Sequence, residues 1–353
     1  MIKIQNIYYM LAYAFKVLNE GSYARLSLEA FNNASELFSA ILAKGISNQV
    51  KRGFGREYIY KNEVLSNPRG KINITDSIKN NTKVNNKLSC DFDELSANVR
   101  INQILKSTAI LLLKSKDVSF NRKKELKKVL IYFDSVEQIP LTEVNWNHIQ
   151  YHSNNATYKM LINICYLVVN GLLLSESSED VLIKQFFDDQ KMHSLYEHFV
   201  LEYFKKHYPQ LNVSAPYVKW NTNDDIVRFL PIMKTDITLE YKGKVLIIDT
   251  KYYQHSMQIR EKYGSQTVHS NNIYQIFTYV KNKDVEQSGD VCGMLLYAKT
   301  DESMSPDFRY QMSGNTIWVK TLDLNQKFIN ISNQLDGIVS DWFPDGNIIR
   351  YNE

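Results

Sequence analysis

At 353 residues the chain is long for one compact domain, and roughly 150 residues per domain suggests about two. Hydrophobic residues at 44% and charged residues at 23% are ordinary for a globular protein, and 13 Gly with 7 Pro are too few for collagen-like or linker-rich architectures. A formal net charge of +4 permits nucleic-acid binding without arguing for it, because local clusters decide that question rather than the sum.

The three cysteines, Cys90, Cys165 and Cys292, form no C-x-x-C pair, which disfavours a zinc site, a disulfide framework or a four-thiolate cluster. They read as reduced, buried thiols of a cytoplasmic protein. The start of the chain lacks the pattern of a signal peptide, and the apolar stretch Leu161 to Leu174, broken by Asn163, Asn170 and Gly171, is short for a bilayer span. No membrane association is expected.

In chain order, apolar residues at helical spacing predict helices over Ile4 to Val17 and Leu28 to Ile46. From Arg52 to Cys90 the pattern turns to short strands punctuated by Asn and Gly, among them 56–60 and Lys71 to Ile74. Helical spacing returns over Ser96 to Lys114 and Asn121 to Phe133. The second of these carries Lys123, Lys124, Lys127 and Lys128, a face that is either solvated or in contact with phosphate. Polar residues from Pro140 to Asn155 mark a boundary, giving domains 1–150 and 151–353. Beyond it come helices Tyr158 to Leu174 and Met192 to His207, then strands, helix Asn272 to Lys281, more strands and a final helical segment. The expected class is α/β (α+β), with a mixed central sheet in the second domain.

The most informative stretch runs from Lys234 to Tyr253. It reads as two strands joined by a tight turn at Lys242-Gly243, where Gly supplies positive φ. A two-residue loop pairs Tyr241 with Lys244 and, counting outward, sets Asp236 opposite Asp249, with Cβ atoms roughly 4.5–5.5 Å apart. Lys251, two residues beyond Asp249, shares its face. Facing carboxylates repel, and a divalent cation compensates economically: Mg²⁺ is commonly held by one or two carboxylates with phosphate oxygens and waters. The alternative is a surface hairpin with an ordinary Asp–Lys ion pair. Glu197 lies between apolar positions on a predicted helix, and Gln275 and Tyr279 share a helical face. Alone, each is more readily a surface acid or a packing pair.

The order acidic helix residue, Asp, D-x-K, Q-x-x-x-Y resembles the PD-(D/E)xK nuclease superfamily. More narrowly, 6–14 (NIYYMLAYA), 69–72 (RGKI), 102–108 (NQILKST), 235–238 (TDIT), 248–253 (IDTKYY) and 269–275 (HSNNIYQ) are similar to McrC, the nuclease subunit of McrBC-type (5-methylcytosine) restriction systems. The resemblance covers almost the whole chain.

It implies an N-terminal mixed α/β domain that engages a GTP-hydrolysing AAA+ McrB-like ring, expected to be hexameric, and stimulates its GTPase. A C-terminal restriction-endonuclease-like domain would cut double-stranded DNA. By the same resemblance Asp236, Asp249 and the Thr250 carbonyl hold Mg²⁺, with Mn²⁺ a possible substitute. Lys251 serves the attacking water or the phosphate, Glu197 assists, and Gln275 with Tyr279 supports the site. The sequence departs from the superfamily pattern at Thr235, where Pro is possible, and at Asp249, where Glu is common. No G-x-x-x-x-G-K-[ST] loop is present, so this chain is expected to bind no nucleotide itself. Arg52, Arg56, Tyr58 and Arg69, in the strand-like region, are the candidates for partner contact, though each also reads as a stabiliser of a small β-domain. Two other functions stay open: a non-catalytic subunit that only activates the ring, and a stand-alone repair nuclease.

Overall fold

In the computed structural model the described residues are 3–15, 26, 29, 31–80, 86–149, 156–175, 189–224, 227–253, 257–260, 265–299, 305–344 and 348–351. The chain divides into two compact units, one formed by 33–176 and the other by 1–32 together with 177–353. This differs from a division at residue 150, which itself falls outside the described residues. Two helices account for the difference. Helix α1 (Ile4–Ala14) packs on a helix of the C-terminal unit, and the helix after the expected boundary packs within the middle unit.

The middle unit begins with α2 (Ala34–Arg52), whose start is set by Asn33: its side chain accepts from the Glu36 amide at 2.8 Å. This places the helix six residues later than its apolar spacing alone suggests. A three-stranded sheet follows, from β1 (Glu57–Leu65), β2 (Lys71–Ile72) and β3 (Leu88–Ser96), in order β1-β3-β2. Residues 73–74 are not strand. Asn73 caps the short helix α3 (Ile74–Lys79) through the Asp76 amide, and this local bond prevails over the β-like alternation. Helices α4 (Arg100–Lys114), α5 (Phe120–Leu130) and α6 (Ala156–Ser175) complete the unit.

Asn102, fully buried on α4, explains one conspicuous sequence block. Its Nδ2 donates to the carbonyls of Gly55 and Ala97, each at 2.9 Å, which flank the base of the β1/β3 pair. Its Oδ1 accepts from Tyr158 of α6 at 3.1 Å, and the same hydroxyl accepts from the Gly55 amide at 2.8 Å. Lys106, one turn on, donates to the carbonyls of Phe133 and Val136 at 2.9 and 2.6 Å. Asn102 therefore fastens the sheet to its helices as a buried, satisfied polar group, and Lys106 ties α4 to the segment after α5.

In the C-terminal unit, α7 (Asp189–His207) is followed by β4 (Asn212–Ser214), β5 (Tyr217–Val218), β6 (Met233–Lys234), β7 (Ile237–Tyr241), β8 (Lys244–Lys251), β9 (Met257–Arg260), β10 (Ser265–Val268), α8 (Ser270–Lys283), β11 (Val291–Ala298), β12 (Phe308–Met312), β13 (Asn315–Leu322) and α9 (Phe328–Trp342). Six strands form one mixed sheet in the order β12-β13-β11-β8-β7-β4. β8 and β13 both run parallel to β11, so their C-terminal ends share one edge, while β7 returns antiparallel to β8. Val245 to Ile248 are buried between neighbours on both sides, as an unbroken apolar run requires.

Helix α8 lies unusually close to β11. A Cβ on Gly293 would come within 2.7 Å of both Ile276 Cγ1 and Val280 Cγ2, two buried side chains of α8. Gly293→Ala should therefore cost about 1–3 kcal/mol by overpacking, more than the entropy it recovers. A lowered denaturation midpoint in urea is the expected readout; an unchanged one would show that α8 yields freely.

Helix α1 is held to this unit by more than apolar contact. Asn6 Nδ2 donates to the carbonyls of Leu324 and Gln326 at 2.7 and 2.8 Å. Tyr13 hydrogen-bonds His207 Nε2 at 2.7 Å, and since His207 Nδ1 lies 2.8 Å from the Tyr351 carbonyl, Nδ1 donates and Nε2 accepts from the tyrosine. Burial lowers the His207 pKa, consistent with this neutral tautomer.

Candidate active site

The β7/β8 hairpin has the expected register. Tyr241 pairs with Lys244 across Lys242 and Gly243, whose φ values of 46° and 85° are those of a turn with both central residues left-handed. The ladder ends at Ile237 and Ile248, so Asp236 and Asp249 stand one step beyond it, opposite each other. Asp249 follows the buried apolar run of the central strand and is itself only 1% exposed.

The two carboxylates have different partners. Asp236 Oδ2 accepts from the Thr250 amide and the Thr250 hydroxyl, both at 2.8 Å, which fixes its orientation. Asp249 Oδ2 lies 2.7 Å from Lys251 Nζ, but it is fully buried and has no hydrogen bond of acceptable geometry. Burial pushes the Asp249 carboxyl up to about 7; the charge of Lys251 opposes this, while Asp236 and Glu197 add to it. For Lys251 burial favours the neutral amine, yet the carboxylate of Asp249 outweighs it and the pKa is raised.

The remaining predicted residues converge on the same place. Lys251 Nζ donates to Gln275 Oε1 at 3.2 Å, and Gln275 Nε2 donates to the Tyr279 hydroxyl at 3.0 Å, so the helical pair forms a relay that holds the ammonium. Glu197 of α7 is close enough for Asp236 to act on it electrostatically; burial first, and Asp236 second, raise its pKa. His193, one helical turn before Glu197, carries no sequence signal of its own. Its Nε2 donates to the Thr250 carbonyl at 2.8 Å, and a backbone partner leaves no side-chain pattern to read.

Among the described residues no group of three or more His, Cys, Asp or Glu side chains is close enough to enclose a metal ion alone. An open site needs fewer ligands, because Mg²⁺ keeps several waters and takes one or two carboxylates with substrate oxygens. The buried Asp249 Oδ2 that lacks a hydrogen bond fits that role. So does Asp236 Oδ1, which has no hydrogen-bond partner among the described residues, since both bonds from Thr250 go to Oδ2. The donor set suits a hard cation bound by oxygen.

The proposed partner-contact residues lie in the middle unit. Arg52 and Arg56 are exposed around the start of β1, and Tyr58 is 74% exposed on it. Arg69 is occupied within its own sheet, where its guanidinium lies 3.8 Å from the Phe92 ring centroid and 3.5 Å from Glu94. The adjoining Gly70 has φ of 70°, and a Cβ there would meet the Asp91 carbonyl at 2.4 Å. The 69–72 block is thus explained by close packing on β3. Lys124, Lys127 and Lys128 are exposed on α5, a solvated face that leaves both readings of it standing.

Fold and site together define a mixed α/β protein whose central sheet ends in two opposed carboxylates and a lysine. Residues 3–298 match the family described as "McrBC 5-methylcytosine restriction system component". The chain belongs to that family, and the resemblance to McrC holds. It is 28% identical over 346 residues to the Escherichia coli K12 protein described as "Type IV methyl-directed restriction enzyme EcoKMcrBC", covering 97% of this chain and 98% of that one. It shares its fold with a chain of the Thermococcus gammatolerans assembly of McrB AAA+ hexamers with bound McrC, at TM-score 0.54 and 18% identity, over 95% of this chain and 76% of that chain. No helix among the described residues is long and apolar enough to cross a membrane.

Proposed function

We propose that the chain is the Mg²⁺-dependent endonuclease subunit of a modification-dependent restriction complex, cutting double-stranded DNA in the cytoplasm. It would work with a GTP-hydrolysing AAA+ ring whose turnover it stimulates, binding no nucleotide itself. The observation that carries the catalytic part is the convergence of Asp236, Asp249 and Lys251 at the end of the central sheet, with Asp249 buried and short of a hydrogen bond. The Thermococcus assembly of McrB hexamers with bound McrC supports the partner part.

Asp236, Asp249 and the Thr250 carbonyl would hold Mg²⁺ or Mn²⁺, which when bound polarises the phosphodiester and makes water a better nucleophile. Asp236 is oriented for this by Thr250, and His193 fixes the carbonyl. Lys251, held between Asp249 and Gln275, presents a positive charge where the phosphate gains negative charge in the transition state. Tyr279 keeps Gln275 in place, so these two residues position the lysine. Arg52, Arg56, Tyr58 and Arg69 belong to the surface proposed to meet the ring.

The reading is tested by reconstitution. The chain, combined with an McrB-like AAA+ protein from the same genome, should cut methylated plasmid only with both GTP and Mg²⁺ present. Cleavage by the purified chain without ring or GTP would favour a stand-alone nuclease. Stimulated GTP turnover without any cleavage would leave a ring activator.

A further inference from the structure

A second basic centre lies in the C-terminal unit, away from the carboxylates. A cavity of about 500 Å³ is lined by Lys3, Lys327 and Arg350 together with Gln5, Asn6, Tyr9, Gln326 and neighbours, and by no acidic residue. Lys3 and Lys327 make no ion pair among the described residues. Arg350 places Nη2 2.7 Å from Ser332 Oγ and Nη1 3.3 Å from Asp336, yet its buried Nε has no partner. The lining cations also sit where helix dipoles add to them. Lys3 and Lys327 are the residues before the first turns of α1 and α9, and neither helix has a side-chain cap or an acid in its first turn.

The sheet shows that the chain reaches this cavity from the end that carries Lys251. Tyr297 of β11 is level with both Lys251 of β8 and Thr321 of β13, so the segment leaving β13 toward Gln326 and Lys327 departs from the edge that carries Lys251. Neighbouring strands are about 4.8 Å apart, which sets β13 roughly 10 Å from β8 along that edge. DNA carries a charge about every 3.4 Å along each strand, so a backbone lying along this edge would present phosphates to both places. Tight fastening of α1 by Asn6 to the carbonyls of Leu324 and Gln326 gives the cavity a rigid floor.

We infer that the cavity lined by Lys3, Lys327 and Arg350 binds a phosphate group, and that the phosphate is one in the DNA backbone flanking the cleaved bond. This rests on the nuclease reading above and adds a positioning contact to it. Such a contact fixes the register of the duplex without reading its bases.

The test uses the full-length chain and a fluorescent 30-base-pair duplex, with affinity measured by anisotropy over a range of salt concentrations. The double variant Lys3→Gln/Lys327→Gln should bind more weakly, and the magnitude of its slope of log K against log salt should fall by about 1.8, the release expected for two lost phosphate contacts. Thermal unfolding at the wild-type midpoint would show that the fold is kept. An unchanged slope and affinity overturn the inference. A parallel titration with GTP and with inorganic phosphate separates the sources: loss of binding to these, with duplex binding intact, overturns the DNA assignment. Asp249→Ala carried alongside distinguishes the two proposals, since it should keep the salt slope while losing cleavage. If wild-type chain shows no affinity for duplex either alone or assembled with the ring and GTP, the nuclease reading fails first.

Discussion

Asp249→Ala should abolish DNA cleavage while leaving ring binding and GTPase stimulation at wild-type levels. The separation is expected because Asp249 lies in the C-terminal sheet, whereas the surface proposed to meet the ring lies in the middle unit. Removing one carboxylate of two takes away a proposed metal ligand and the counter-charge of Lys251 together, so a loss of about 10³-fold or more in cleavage rate is the expected scale. The accompanying stability change is a separate matter: Lys251, 8% exposed, keeps Gln275 but loses its ion pair, and a buried cation left in this way costs about 3–5 kcal/mol at most. Circular dichroism at the assay temperature shows whether the variant is folded. A folded Asp249→Ala protein that still cuts with Mg²⁺ and ring present would remove Asp249 from the site.

Metal binding should take up a proton penalty below neutral pH. With burial holding the Asp249 carboxyl near 7, the metal-free protein carries it largely protonated at pH 6 and largely ionised at pH 8. Since the cation needs the carboxylate, Mg²⁺ affinity measured by calorimetry should fall about tenfold per pH unit below 7 and level off above 8, with protons released to the buffer on binding. The sign for folding runs the other way. A carboxyl whose folded pKa is raised from 3.8 to about 7 binds more protons in the native state across that window. The metal-free protein should therefore lose stability as pH rises from about 4 to 7, and Mg²⁺ should restore it most strongly at the upper end. A flat Mg²⁺ affinity between pH 6 and 8 would show that Asp249 is not the proton-linked ligand.

The hairpin was legible because two independent rules agree there. Lys242-Gly243 fits a two-residue turn, and a period of two then dictates which carboxylates face each other. Gln275 and Tyr279 were legible as a shared helical face, although only the structure joins them to Lys251. His193 could not be read, because its partner is a main-chain carbonyl. The division into units differs from the one at residue 150 for a related reason: apolar spacing says that one face of α1 is buried, and nothing in it says against what. Arg69 shows another limit of such reading: a basic residue in a promising region reads as a contact, and nothing in the sequence says that its guanidinium also lies against Phe92 and Glu94 of its own sheet.

The pairing of α1 with the C-terminal unit has a consequence for how the protein is made. The middle unit is continuous, 33–176, so all of its residues are made before most of the C-terminal unit. Helix α1 emerges before it but must wait: its Asn6 is satisfied by carbonyls at 324 and 326, and the His207 that Tyr13 meets is completed by the carbonyl of Tyr351. A helix synthesised early thus finds these partners only after the C-terminal residues that carry them have been made. An incomplete chain would hold a finished middle unit beside an unfinished C-terminal one.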